Sequence, residues 1–374
     1  MISRIGRVAV ASLLLFWLLP AGVSHAAVTS GVSQGVLTIT GGATADLVSV
    51  TCFGGNVKVN NANPGTGSFP CAKVVRISVD TQNGEDVIDL TNATIAAFPA
   101  MGEATVYAGG DDDIVTAPPV GAFISGGTGE DTLNGRAGPD RLNGDAGQDA
   151  INGAGGFDVV GTATSLPGPA VLTPSSLVAG GETDTLSSIE GASLSVVGST
   201  YDGSAFPGPQ RISAKNGVSV LTGSGNDTLV VATGGGPNGS LDGGPGVDTI
   251  EGQLDRSVTL APDRIEIEAT TYTLSKIERG FLFWQAIALQ GGTVNARKWK
   301  GQLRYENWGS KKVTFLGGRG RDSATGGSGQ DILKGFRGKD VLLGGPGDDA
   351  LVGGPGKDTC RGGSGKNKIS GCEG

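Results

Sequence analysis

Residues 126–161 run GGTGEDTLN, GRAGPDRLN, GDAGQDAIN and GAGGFDVVG, four nine-residue units that start at Gly126, Gly135, Gly144 and Gly153 without slippage. In each unit the fourth residue is Gly, the sixth is Asp and the eighth is aliphatic. The last three positions set one apolar residue between neighbours that are mostly polar, which is the periodicity of a strand. The glycines permit a tight turn and a close approach of backbone. One unit therefore reads as a turn plus a very short strand, with Leu133, Leu142, Ile151 and Val160 expected to point inward.

A longer run closes the chain, with units beginning at Gly317, Gly326, Gly335, Gly344, Gly353 and Gly362 and a fragment at Gly371. Its inward residues are expected to be Ala324, Leu333, Leu342, Leu351, Cys360 and Ile369. Single copies, TGSGNDTLV from Thr222 and GGPGVDTIE from Gly243, stand between the two arrays. Gly84-Glu85-Asp86 and Gly110-Asp111-Asp112 read as degenerate units 26 residues apart, with Asp131 a further 19 on. The irregular regions also repeat. Asp158, Glu190, Phe206 and Asp227 find counterparts at Asp248, Glu278, Trp299 and Asp322, at offsets of 90, 88, 93 and 95 residues.

Composition agrees with a turn-rich β structure. Of 374 residues 68 are Gly, and each Gly inside a helix costs about 1 kcal/mol relative to Ala, so an ordinary helical enzyme is excluded. No strict Gly-x-y period appears, which excludes collagen. Hydrophobic residues at 37% still suffice for a packed core.

The nonapeptides resemble the RTX, or haemolysin-type, calcium-binding repeat Gly-Gly-x-Gly-x-Asp-x-aliphatic-x, a known β-helix repeat. The resemblance implies an all-β parallel β-roll or β-helix solenoid, two units per coil, with calcium held between turns stacked on the same side. Its aspartates would then pair two units apart: Asp131 with Asp149, Asp140 with Asp158, Asp322 with Asp340, Asp331 with Asp349, and Asp340 with Asp358. Asp112, Asp227 and Asp248 are further candidates without regular neighbours, and Asn367 replaces the Asp of the final unit. Calcium suits such turns because it is a hard cation that takes about six to eight oxygens, which carboxylates and glycine carbonyls can supply.

Five segments are expected. Residues 1–26 carry Arg4 and Arg7, an apolar run from Val8 to Leu19, and the exit Ser24-His25-Ala26, and read as a cleaved signal peptide. Residues 27–80 read as a β cap; 81–161 as degenerate coils and the first array; 162–316 as irregular duplicated coils; and 317–374 as the second array. A secreted, extracellular protein without a transmembrane segment follows as an expectation. Four cysteines allow three pairings, and the local ones, Cys52 with Cys71 and Cys360 with Cys372, are favoured.

The one histidine of the chain, His25, falls in the leader, which excludes histidine-dependent catalysis and zinc sites from the mature protein. The net charge of −8 disfavours nucleic acid and suits cations. A non-enzymatic structural or adhesive role that depends on calcium is expected. Trp284, Trp299 and Trp308 with Lys300, inside the aromatic and basic patch 281–312, offer an alternative reading as a site for envelope or extracellular polysaccharide. A β-helix carbohydrate-active enzyme is a third reading.

Overall fold

The computed structural model describes residues 28–162, 165–167, 169–197, 200–215, 218–232, 238–254, 257–267, 270–284 and 292–373. Among them the elements are β-strands and one short 3-10 turn, Cys71–Lys73, and no helix is long and apolar enough to cross a membrane.

Each nonapeptide of the arrays is a turn followed by a strand. Strand Thr132–Asn134 pairs in parallel with Ala150–Asn152, whereas Arg141–Ala146 pairs in parallel with Val159–Gly161. Successive units thus enter opposite ladders, and every unit stacks on the one two places earlier. Strands this short persist because those inside the solenoid are paired on both sides and send their middle residues into a shared core. Leu133, Leu142, Leu333, Leu342 and Leu351 have no exposed surface, and Ile151, Val160, Ala324 and Cys360 are buried with them. Ile369 departs from the expectation: it is 48% exposed, because its strand Lys368–Ser370 pairs with Ala350–Val352 and, among the described residues, no further strand pairs on its other side.

The same stacking extends well outside the regular units. Val36–Thr40 pairs in parallel with Arg76–Asp80, and Leu47–Phe53 pairs in parallel with Val87–Asp89. Val36–Thr40 and Leu47–Phe53 therefore already form the first coil, and Arg76–Asp80 opens the second. The antiparallel strands Thr29–Ser33 and Asn56–Val59 lie outside it, where they cover ladder edges that would otherwise stand open. The disulfide Cys52–Cys71 ties this end, and Cys360–Cys372 ties the other.

The sequence duplication has a structural counterpart. Ala170–Thr173, Ser176–Ala179 and Glu182–Ser187 form an antiparallel meander, and Val258–Ala261, Arg264–Ile267 and Thr270–Ser275 form a second. Each meander is set in line within one ladder, bridging the parallel strands before and after it. Ladders on the opposite side run past both without a break.

Candidate metal centre

Every array Asp immediately precedes a strand, so parallel stacking of strands stacks the aspartates as well. On one side the N–H of Asp46 donates to Oδ1 of Asp86, Asp86 to Asp113, Asp113 to Asp131, Asp131 to Asp149 and Asp149 to Asp184, at 2.7 to 3.2 Å. Further along this side Asp331 donates to Asp349 and Asp349 to Oδ1 of Asn367, each at 2.9 Å. On the opposite side Asp140 donates to Asp158, Asp227 to Asp248, Asp322 to Asp340 and Asp340 to Asp358, all at 2.8 Å. All five pairs expected two units apart are brought together.

These bonds use one carboxylate oxygen. Among the described residues the other, Oδ2, is buried without a hydrogen-bond partner in Asp86, Asp113, Asp131, Asp149, Asp158, Asp227, Asp248, Asp331, Asp340, Asp349 and Asp358. Asp140 and Asp322 differ, since their Oδ2 accepts the N–H of Arg136 at 3.0 Å and of Gly318 at 2.7 Å. A buried carboxylate oxygen without a partner costs several kcal/mol of solvation on general grounds, about 1–3 kcal/mol even after relaxation. Repetition of one such cost along two columns marks a place for a positive charge wherever the turn also leaves room for an ion.

The first residue of each unit makes the room. A Cβ placed on Gly126 would lie 2.2 Å from Oδ2 of Asp131 and 2.9 Å from the carbonyl oxygen of Gly144, one coil on. At Gly326 the corresponding distances are 2.5 Å to Asp331 and 2.7 Å to Gly344, and at Gly335 they are 2.3 Å to Asp340 and 2.8 Å to Gly353. A carboxylate oxygen and a carbonyl oxygen of the next coil therefore face one small space that any side chain would fill. The donors are all oxygens, with no nitrogen or sulfur among them, which is the set a hard divalent cation takes. The residues fit calcium.

Protonation tells the same story from the other direction. Burial, with neighbouring carboxylates adding to it, pushes Asp113 up to about 8, Asp184, Asp248 and Asp322 to about 7, and Asp86, Asp131, Asp140, Asp149, Asp331 and Asp340 to about 6. A bound cation reverses this pressure by neutralising the column.

The candidates fall into place unevenly. Asp131, Asp140, Asp149, Asp158, Asp227, Asp248, Asp322, Asp331, Asp340, Asp349 and Asp358 are all buried in the columns. Asp112 is not. It is exposed, with its Oδ1 accepting the N–H of Glu130, and Asp113 takes the column position because it directly precedes the strand Ile114–Thr116. Asp46, Asp86, Asp184, Glu190 and Glu278 also join the columns. Glu190 and Glu278 accept the N–H of Asp158 and Asp248 through Oε2 at 2.9 and 2.8 Å, which explains why the Ser188-Ile189-Glu190 and Lys276-Ile277-Glu278 triplets recur. A signal for Asp46 was present: Gly41–Ser49 reads GGATADLVS, a nonapeptide with Thr44 at the fourth position.

The aromatic patch is dispersed. Trp299 is 1% exposed and its Nε1 donates to the carbonyl of Gln302, so it is core and cannot face a polymer. Phe206, its counterpart in the duplication, is buried to the same degree. Lys300 and Trp308 are exposed, and the side chain of Trp284 lies outside the described residues.

Comparison with known proteins agrees with this geometry. The family described as the RTX calcium-binding nonapeptide repeat, in four copies, matches residues 125–160, 314–335 and 334–369. No curated protein matches the chain.

Proposed function

We propose that this chain, a calcium-binding protein with RTX repeats, is an extracellular structural or adhesive solenoid whose stacked turns are completed and stabilised by calcium. Asp131, Asp140, Asp149, Asp158, Asp248, Asp322, Asp331, Asp340, Asp349 and Asp358 would hold the ions together with first-position carbonyls of adjacent coils. Calcium supplies charge neutralisation there. The chain supplies the rest: Oδ1 of each Asp clamps the preceding coil, and Oδ2, which in Asp140 and Asp322 accepts a backbone N–H of its own turn, is otherwise kept buried and without a protein partner.

That divided carboxylate is the observation that carries the reading. The two disulfides, with no free cysteine among the described residues, support an oxidising compartment. Calcium at ten times a site's dissociation constant stabilises by about 1.4 kcal/mol per site, so several sites together rival the net stability of a domain. Calorimetric titration with calcium, alongside circular dichroism in excess chelator, tests the reading. Binding of several ions, with loss of β signal and melting temperature on chelation, is expected; an absence of binding defeats it.

One observation favours polysaccharide binding as a second reading. Trp308 is 75% exposed, and Lys311 and Lys312, close by in sequence, are exposed too. Loss of retention on an acidic glycan column by Trp308→Ala would support it, and unchanged retention would remove it.

A further inference from the structure

Not every Asp in the columns has Gly five residues before it. Counting back from Asp131 reaches Gly126 and from Asp340 reaches Gly335, whereas counting back from Asp86, Asp113 and Asp227 reaches Thr81, Ala108 and Thr222. All three aspartates are buried members of the columns, and Thr81 and Thr222 are buried with them, 0% and 1% exposed. Their side chains therefore start where the glycine turns keep open space.

What the threonines do there is specific. Thr81 Oγ1 donates to the carbonyl of Ala108 at 2.9 Å. Ala108 lies five residues before Asp113, as Gly144 lies five before Asp149, so this carbonyl is the counterpart of the one that faces Asp131 across the cradle at Gly126. Thr222 Oγ1 donates to the carbonyl of Asp242 at 3.2 Å, so it too reaches the next coil, at the residue just before Gly243. At Thr81 a hydroxyl proton meets the carbonyl oxygen that a cation would otherwise meet, and at Thr222 it meets the carbonyl one residue earlier on the facing turn. Ala108, buried as the threonines are, carries at this position a methyl group with no polar atom.

We propose that the first residue of each turn sorts the solenoid into calcium turns, where it is Gly, and closed turns, where Thr81, Ala108 and Thr222 occupy the ion's place and hold the coils together without metal. The proposal rests on the calcium reading of the glycine turns. Closed turns at 81–86 and 108–113 lie side by side between the Gly41 turn and the first regular array, so a metal-independent block stands near the N-terminal end. The array would then grow from a coil that is already ordered when calcium arrives.

Thr81→Gly and Thr222→Gly test this in the full chain with calcium chloride as the titrant, read as ions bound per chain by calorimetry or equilibrium dialysis. Each substitution is expected to raise the number bound by one. The reciprocal change Gly126→Thr is expected to lower it by one while circular dichroism in calcium stays that of the parent. An unchanged count in either threonine variant, with its β signal intact, overturns the proposal. Should a threonine variant fail to fold, an unchanged count in Gly126→Thr overturns it equally. Failure of the parent protein to bind calcium would instead defeat the underlying reading, so the two failures are distinct.

Discussion

The backbone N–H of Asp131 donates to Oδ1 of Asp149, 2.9 Å away and one coil on, while Oδ2 of Asp149 is buried with no hydrogen-bond partner. One carboxylate thus has two separable tasks: a neutral clamp between coils and a charged face toward a cation. Asn367 is a natural case of the first without the second, since its Oδ1 accepts the N–H of Asp349 at 2.9 Å while it carries no charge.

Replacement of Asp149 should separate the tasks. Asp149→Asn retains an acceptor for Asp131 and should preserve the fold while lowering the calcium bound. Asp149→Ala also leaves the N–H of Asp131 buried and unpaired, which costs about 1–3 kcal/mol. Chemical unfolding in chelator, where metal no longer contributes, should rank Asn above Ala. Equal stabilities there would show that the interstrand bond does not hold the coils.

Stability of the calcium-free protein should fall as pH rises. Burial holds a set of column carboxyls above their ordinary value of 3.8, with Asp131 and Asp340 at about 6, Asp322 at about 7 and Asp113 at about 8. The folded chain therefore holds protons that the unfolded chain releases. That preference is fully present below about pH 4 and is lost as pH climbs through 6 to 8. Melting temperature in chelator should decline from pH 4.5 to 8.5, whereas calcium affinity should increase over the same window because protons and calcium compete for the same oxygens. A metal-free melting temperature that rises with pH would contradict the burial assigned to these groups.

Much of this is legible in the sequence, though unevenly. The arrays at 126–161 and 317–370 could be read because their spacing never slips, and a constant nine-residue step forces the side chains into register. Irregular coils hide the same register. Asp46 and Asp86 are consecutive members of one column yet 40 residues apart, and Asp86 and Asp113 are 27 apart. Choosing Asp112 over Asp113 misjudged the spacing by one residue on each side, and only the strand that begins at Ile114 distinguishes three consecutive aspartates. Trp299 misled for a different reason: it sits among Arg297, Lys298 and Lys300, all exposed, and local charge says nothing about which residue of an irregular coil turns inward.

Removal of the Cys360–Cys372 disulfide should loosen the last coil alone. Strand Lys368–Ser370 is paired on one side, and Ile369 stays half-exposed above the core. The bridge spans 12 residues, and closing a loop of that size contributes about 3 kcal/mol. In the double variant Cys360→Ser/Cys372→Ser, amide hydrogen exchange in calcium should accelerate over 359–373 while Thr132–Asn134 keeps its protection. Uniform acceleration along the chain would mean that the end coil is coupled to the whole solenoid.

Trp299 and Trp308 make opposite predictions from adjacent coil positions. Trp299 is among the largest fully buried side chains, and Phe206 fills the equivalent place in the other half of the duplication. Trp299→Ala should cost about 3–5 kcal/mol by leaving a cavity, and Trp299→Phe should recover a large part because the second repeat already accommodates that ring. Trp308→Ala, on an exposed side chain, should stay within about 0.5 kcal/mol. Denaturant unfolding of the three variants in saturating calcium provides the comparison. If Trp308→Ala proved the more destabilising, the irregular coil would have to pack the other way round, with Trp308 in the core and Trp299 restored to the surface as a candidate for polymer contact.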